Sequence, residues 1–458
     1  MVKSGKVFPT NIPDEEKLFT NRDLVRLIVP LVIEQFLALL IGMADTVMVS
    51  NISESAVSAI SLVDSINVLL TQLFSAMATG GAVVAAQYLG KREQGSACNA
   101  AKQLMYVSLL LALGIGAAAI AFSDSILRLC FGSLTESTMA YCRTYLFLSA
   151  LSYPALALYN GGAALLRAMS NSKASMYTSL MMNVANVAGN ALLIYGFGME
   201  VAGAGVASLV SRMLGAAVMI RLLLQRQSPI HLVRPTRPEP DFPMIKRFFG
   251  LGLPNGLENS MFHVGKLLVA GLVSGLGESI IAANAVSSNI GSLCNLPGTA
   301  IGLAMVAVVG QCVGAGDRRQ ARYYAGKLFG VVYGSMLVIN IGLFFFARPL
   351  AGVFNLSAEG LDASEGVLRT FAVAAVLFWP ASFTVPNALR AAGDARFTMT
   401  VSVLSMWICR IGASYLFVSW LGMGLLGVWM AMYLDWVARA AFFVTRYRGD
   451  KWLDRRVV

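Results

Sequence analysis

Charge is scarce in this 458-residue chain. Asp, Glu, Lys and Arg make up 13% of it, against about 25% in a soluble domain, which excludes an ordinary water-soluble globule. Histidine is nearly missing: His231 and His263 are too few for a His-based metal site. The six cysteines are scattered, with no CxxC and no metal-ligand spacing. Cys98 and Cys312 fall in expected cytoplasmic segments, and Cys130 and Cys142 share an outer loop as a candidate disulfide. No series of short alternating segments is present, which excludes a membrane β-barrel. There is no P-loop, HExxH or GxSxG, so neither an enzyme nor a cofactor is expected. Energy must come from an ion gradient, or the protein merely equilibrates its substrate. Residues 1–26 lack an apolar core and a small-residue cleavage site, so the first apolar helix is expected to be its own insertion signal.

What is abundant is apolar length. The chain is 57% hydrophobic, with mean hydropathy +0.68, and runs of about 20 apolar residues recur throughout. The pattern predicts an all-α polytopic membrane protein in a lipid bilayer, with twelve transmembrane helices in two six-helix lobes related by pseudo-two-fold symmetry. The spans are 24–50, 56–88, 103–122, 143–166, 174–196, 201–224, 249–274, 279–313, 328–347, 367–389, 398–420 and 422–445. The domains expected are a cytoplasmic N-terminal segment 1–23, an N-lobe 24–224, a linker 225–248, a C-lobe 249–446 and a tail 447–458. Spans two and eight are overlong, and kinks are expected at Gly80-Gly81 and at Leu296-Pro297-Gly298.

The net charge of +11 does not read as nucleic-acid binding, because of where the charge lies. With both termini inside, 28 of the 35 Lys and Arg fall in inner segments and only Arg128, Arg143, Arg348 and Arg369 in outer loops. Arg212, Lys266 and Arg410 sit within spans. That bias predicts cytoplasmic termini in a plasma-membrane protein. The linker, RQSPIHLVRPTRPEPDFP within Gln225–Lys246, is rich in proline and charge.

The halves are copies. A shift of 224 residues brings Pro30 and Glu34 onto Pro254 and Glu258, and Gln87 and Gly90 onto Gln311 and Gly314. The Leu-Arg-Ala of residues 166–168 meets that of residues 389–391 with a one-residue slip. Six spans per half is even, so the repeats are parallel, about an axis along the membrane normal. Two such lobes can enclose a cavity that opens to either face.

Ionisable groups within spans are functional candidates by default. Asp45 lies 21 residues from the inner start of span one, roughly 30 Å up at about 1.5 Å per residue. Asn186 and Asn190 share a face of span five. With Ser208 and Asp64 they are expected to form an outer-half polar layer in the N-lobe, suited to a hard cation or a proton relay. Asn and Ser also serve as interhelical hydrogen-bond glue, and Asp45 read alone could be a helix-end cap. In the C-lobe, Arg410 and Asp435 lie at similar depth on consecutive spans, which predicts an ion pair. His263 and Lys266 bring positive charge near mid-membrane, with Glu258 a candidate partner for Lys266. Glu34 and Glu258, near the inner ends of spans one and seven, are candidates to gate the inner mouth or to be solvated first-turn acids.

Several stretches, taken together and in order, resemble multidrug and toxic compound extrusion (MATE) transporters, of the multidrug/oligosaccharidyl-lipid/polysaccharide exporter superfamily. They are PLVIEQFLALLIGMADTVMVS in span one, QYLGKREQGSA after span two, LLRAMSNSKASM before span five, and NVAGNALLIYGFGMEVAGAGVAS from Asn186 to Ser208. The resemblance covers Lys17 to Arg446. It implies a V-shaped pair of lobes and H+- or Na+-coupled export of organic, often cationic, amphiphilic small molecules by alternating access. It also implies that Asp45, in its Asp-Thr motif with Thr46, binds the coupling cation, with Asn186 and Ser208 at matching positions. Asn190 stands where the family has an Asp, a departure that leaves the site less negative. Na+ at Asp45, Asn186 and Asn190 is one form of this site. Other members use acids in spans seven and ten, but Glu258 lies nearer the inner end and span ten has none. The alternative is a flippase for a lipid-linked saccharide, for which Lys266 and Arg410 would supply charge. No cofactor beyond the ion and no nucleic acid is expected, and the chain is expected to act as a monomer.

Overall fold

The computed structural model describes residues 12–50, 52–132, 135–232, 239–455 and 457–458, with the side chains of residues 14, 41–47, 50 and 54 outside that set. Among the described residues the regular structure is helical. The first half holds α1 (Asn21–Ser50), α2 (Glu54–Gly90), α3 (Gln94–Ala121), α4 (Ser123–Phe131), α5 (Glu136–Ala168), α6 (Ser172–Asn190) and α7 (Glu200–Leu223). The second holds α8 (Phe242–Ser274), α9 (Glu278–Gly314), α10 (Arg318–Gly352), α11 (Ala358–Trp379), α12 (Val385–Ala391), α13 (Ala395–Ser405), α14 (Ala413–Tyr415) and α15 (Gly424–Arg448). The starts are where side-chain oxygens can accept from orphan amides. Ser53 Oγ accepts from the Ala56 amide at 3.1 Å, Asp317 Oδ1 from Gln320 at 2.9 Å, and Ser357 Oγ from Gly360 at 3.2 Å.

Eight of the described helices are long and apolar enough to cross a bilayer. The other expected spans fall on α1, α5, α8, and α6 with its following turn, each helical over the anticipated stretch. The all-α, polytopic architecture is as the sequence implies. The backbone stays helical through Gly80-Gly81 and through Leu296-Pro297-Gly298, so neither expected kink site breaks its helix. The irregular places are wide π-helical turns at Ala191–Gly196, Pro380–Thr384, Met406–Gly412 and Leu416–Trp420, and a kink within α10 at Phe346 (φ −103°, ψ 17°). Gly80 instead permits close approach. A Cβ there would lie 2.8 Å from the Phe248 carbonyl oxygen and from the Gly252 nitrogen on α8. Small residues at such a crossing replace a hydrophobic driving force with backbone-to-backbone packing.

The duplication extends to backbone conformation. Left-handed residues recur at the same shift: Arg92 (φ 62°) with Gly316 (76°), Gly198 (66°) with Gly422 (64°), and Glu200 (48°) with Gly424 (54°). Ser170 (61°) and Gly393 (104°) follow with the one-residue slip. At three of these four pairs the first half places a side chain where the second uses glycine. A non-glycine residue is costly in this region, so the turn geometry, rather than the residue type, is what repeats.

The packing divides the chain into two compact units. One comprises residues 22–256. In it α2 lies against α5 and α3, α5 against α7, and α6 against α7. Ala56, Val63, Leu127, Leu146 and Val201 belong to its core. The other comprises residues 257–458 together with residues 12–21. In it α9 packs on α10, α11 and α12, and α15 on α11 and the 406–412 turn. The border falls inside α8, between Gly256 and Leu257. The N-terminal segment is tied into the second unit. Tyr324 on α10 donates to the Phe19 carbonyl at 2.7 Å, and Gln320 accepts from the Leu18 amide at 2.8 Å.

Candidate functional site

The first unit holds Asn186, Asn190 and Ser208 of the expected polar layer. Asn186 and Asn190, one turn apart on α6, are 7% and 2% exposed. Asn186 Nδ2 donates to Ser208 Oγ on α7 at 3.2 Å, so an amide and a hydroxyl from consecutive spans meet. Helix α1 carries the backbone of Asp45, but the Asp45 side chain lies outside the described residues.

Asp64 belongs elsewhere. Its Oδ1 accepts from Asn67 at 3.1 Å and from the Tyr145 hydroxyl at 3.3 Å. Tyr153 donates to Asn67 at 2.8 Å, and Arg212 donates to Ser152 at 2.6 Å alongside. No hydrogen bond among the described residues joins Asp64 to Asn186, Asn190 or Ser208. Asp64 is one end of a network between α2, α5 and α7. The tyrosines that complete it carry no intramembrane charge and so gave no signal in the sequence.

Glu34 and Glu258 are not solvated first-turn acids. Glu34 is 6% exposed, accepts from Ser175 Oγ at 3.1 Å and lies 3.6 Å from Arg167. Glu258 is 8% exposed and accepts from Arg390 Nη2 at 2.7 Å. Arg167 and Arg390 are the arginines of the two Leu-Arg-Ala stretches. Each unit therefore contains the same buried Glu–Arg pair, joining its first span to its fourth. Both members were visible in the duplicated sequence; their pairing was not. Because Arg390 holds Glu258, Lys266 does not pair with it.

In the second unit, Asp435 on α15 is fully buried and receives more than one cation. Arg410 Nη1 is 3.9 Å away, but Arg439 Nε donates at 2.8 Å, and Ser405 Oγ donates as well. The predicted Arg410–Asp435 pair is thus the looser half of a three-residue cluster. Arg439, counted with the inner-segment cations in the charge bias, is 3% exposed. Cys130 and Cys142 are both free, Cys130 exposed and Cys142 buried with its thiol toward the Ala59 carbonyl. No group of three or more His, Cys, Asp or Glu suited to a metal ion is found among the described residues.

Beside Asp435 the same unit encloses a cavity of about 490 Å³. Its walls are aromatic: Phe262, Phe371, Phe383, Trp379, Trp429 and Trp436. Glycines on one face of α9 seat two of these rings. A Cβ at Gly291 would lie 3.1 Å from Phe371, and one at Gly298 would overlap Trp379. Lys266 and Arg410 also line the cavity. They sit over the Phe262 ring at 5.2 and 5.1 Å, with Arg439 over it at 5.8 Å.

Comparison with known proteins adds to this geometry. The MatE family model matches residues 30–192 and again 254–416, the two matches being displaced by the repeat distance. The chain is 27% identical to an uncharacterized transporter, YisQ, of Bacillus subtilis (strain 168), over 93% of this chain and 94% of that one. It is 24% identical to a "Probable multidrug resistance protein NorM" of Thermotoga maritima, over 99% and 97%. Its fold superposes on an outward-facing multidrug resistance MATE family transporter of the MOP superfamily. That match has TM-score 0.86 and 20% identity, and covers 93% and 95% of the two chains.

Proposed function

The chain belongs to the MatE family, and on that premise we propose that it is a secondary-active exporter of amphiphilic organic molecules, driven by H+ or Na+ antiport. The coupling site of this reading is Asp45, Asn186, Asn190 and Ser208 in the first unit. The observation that supports it is the Asn186–Ser208 hydrogen bond, at 3.2 Å, beside a second buried amide one turn along. Amide and hydroxyl oxygens are hard ligands that suit Na+ or a proton relay and cannot by themselves supply the charge that distinguishes an empty site from a filled one. Asp45 would supply that charge. Binding H+ or Na+ would neutralise it and favour a different state of the lobe, by the difference in ion affinity between the two states. The cytoplasmic placement of both termini and of residues 225–246 belongs to the same proposal, and follows from the charge bias.

Transport by purified protein in proteoliposomes, under separately imposed proton and sodium gradients, tests this reading. Asp45→Asn should insert and purify like the parent and lose gradient-driven export. Full gradient-driven export by Asp45→Asn would overturn the N-lobe site. Restoring the acid as Asn190→Asp should shift ion preference without abolishing transport. The alternative, a flippase for a lipid-linked saccharide, draws on the cationic cavity lined by Lys266 and Arg410. A lipid-flipping assay on the same vesicles separates the two.

A further inference from the structure

We propose that the aromatic cavity of the second unit is a binding site for flat aromatic organic anions. The ring system would lie among Trp379, Phe383, Trp429 and Trp436, and the carboxylate, sulfonate or phosphate would meet Lys266 and Arg410. The inference deepens the exporter reading by naming a substrate class, and it rests on that reading only for the direction of movement.

The charge of the site is the first argument. Among the described residues its lining includes two cationic side chains and no carboxylate. The one acid behind the wall, Asp435, is shared between Arg410 and Arg439. Three cations therefore face one carboxylate, and among the described residues Lys266 has no ion pair. A cation in a membrane interior without a counter-charge is costly and marks a functional site.

Unused hydrogen-bonding capacity is the second. Arg410 carries five N–H donors, yet its contact with Asp435 is 3.9 Å, beyond hydrogen-bond length. Among the described residues its guanidinium makes no hydrogen bond. A planar fork of free donors opening on a cavity matches an oxyanion with two or more oxygens.

Shape is the third. Trp379 and Phe383 are stacked at 5.2 Å between ring centroids, and Trp436 stands edge-on to Phe383 at 6.0 Å. Such a wall offers stacking faces to a flat ring system. An organic cation would find the same rings, but Lys266, Arg410 and Arg439 already occupy positions over Phe262, and Arg439 one over Phe383. A further cation would meet like charge. About 490 Å³ falls within the range of small-molecule sites, roughly 300–1,000 Å³.

A pair of bicyclic probes of equal size and opposite charge tests this. Binding of 2-naphthalenesulfonate and of N-methylquinolinium to the full-length protein in detergent would be followed by tryptophan fluorescence, with tryptophan-only solutions correcting for direct quenching. No gradient is present, so failure of the exporter reading leaves the measurement intact. The sulfonate should bind saturably, and the quinolinium should neither bind there nor displace it. Lys266→Gln should weaken sulfonate binding about tenfold, and Lys266→Arg should restore it, as expected for loss and recovery of one charge-assisted contact. Lys266 makes no ion pair among the described residues, so its replacement should leave the melting temperature unchanged and the variant folded. Equal binding of the two probes, preference for quinolinium, or unchanged affinity in Lys266→Gln would overturn the proposal. So would binding of a polyprenyl diphosphate without binding of the sulfonate, which would assign the cations to a lipid headgroup.

Discussion

At the scale of single residues, the buried ion pairs carry the clearest energetic consequences. Asp435 is shared, so removing it leaves both Arg410 and Arg439 without their carboxylate. Asp435→Ala should therefore be the most damaging change of the cluster, by about 3–5 kcal/mol. Arg439→Ala, which removes the 2.8 Å contact, should cost more than Arg410→Ala. The double change Arg410→Ala with Asp435→Ala should not return to neutral, because Arg439 remains; thermal unfolding in detergent would measure all four. Glu258 and Arg390 form a simpler pair. Either single alanine should destabilise by about 3–5 kcal/mol, while the double alanine comes close to the parent. Strictly additive losses would refute the pairing. The acids and arginines of these clusters were all evident in the sequence. Their partners were not, because partnership depends on rotation about helix axes, which depth along a span does not fix. Arg439 was not anticipated as the partner of Asp435 for the same reason: distance from a helix end says where a side chain begins and not which way it turns.

Helices tell a different part of the story. Their existence was legible because apolar length is required of any segment that spans a bilayer, and repetition fixed their order. Their interruptions were not legible. A glycine pair and a proline suggested kinks in α2 and α9, yet those helices continue, and the π-helical turns fall elsewhere: three of them contain a glycine or proline, at Gly196, Pro380 and Gly412, and Leu416–Trp420 contains neither. Gly80 provides proximity to α8. Gly80→Ala should accordingly push α2 from α8 and destabilise by about 1–3 kcal/mol. A matched change at Gly114, where a Cβ would meet nothing within 4 Å, should be neutral or gain up to about 1 kcal/mol. Melting temperatures of the two variants, compared side by side, check the contrast. Equal effects would mean that backbone proximity is not what Gly80 provides.

On the scale of the whole molecule, the duplicated plan was readable from a handful of landmarks, and it recurs in turn conformations and in the Glu–Arg pairs. Orientation has its own test. In a Cys130→Ser background, a cysteine introduced at Ser228 should react with an impermeant maleimide only when the reagent has access to the cytoplasmic side. Labelling from outside in intact cells would invert the topology. The border inside α8 was not readable, because hydropathy is blind to which neighbours a continuous helix touches along its length.

The docking of residues 12–21 onto α10 has a consequence for how the protein is made. Leu18 hydrogen-bonds to a residue 302 positions further along the chain. At a synthesis rate of about 5–20 residues per second, the ribosome needs roughly 15–60 s to produce that partner after Leu18 has emerged. Throughout that interval residues 12–21 must wait, because the unit they complete does not yet exist. A segment translated long before its partner is therefore among the last to reach its native contacts.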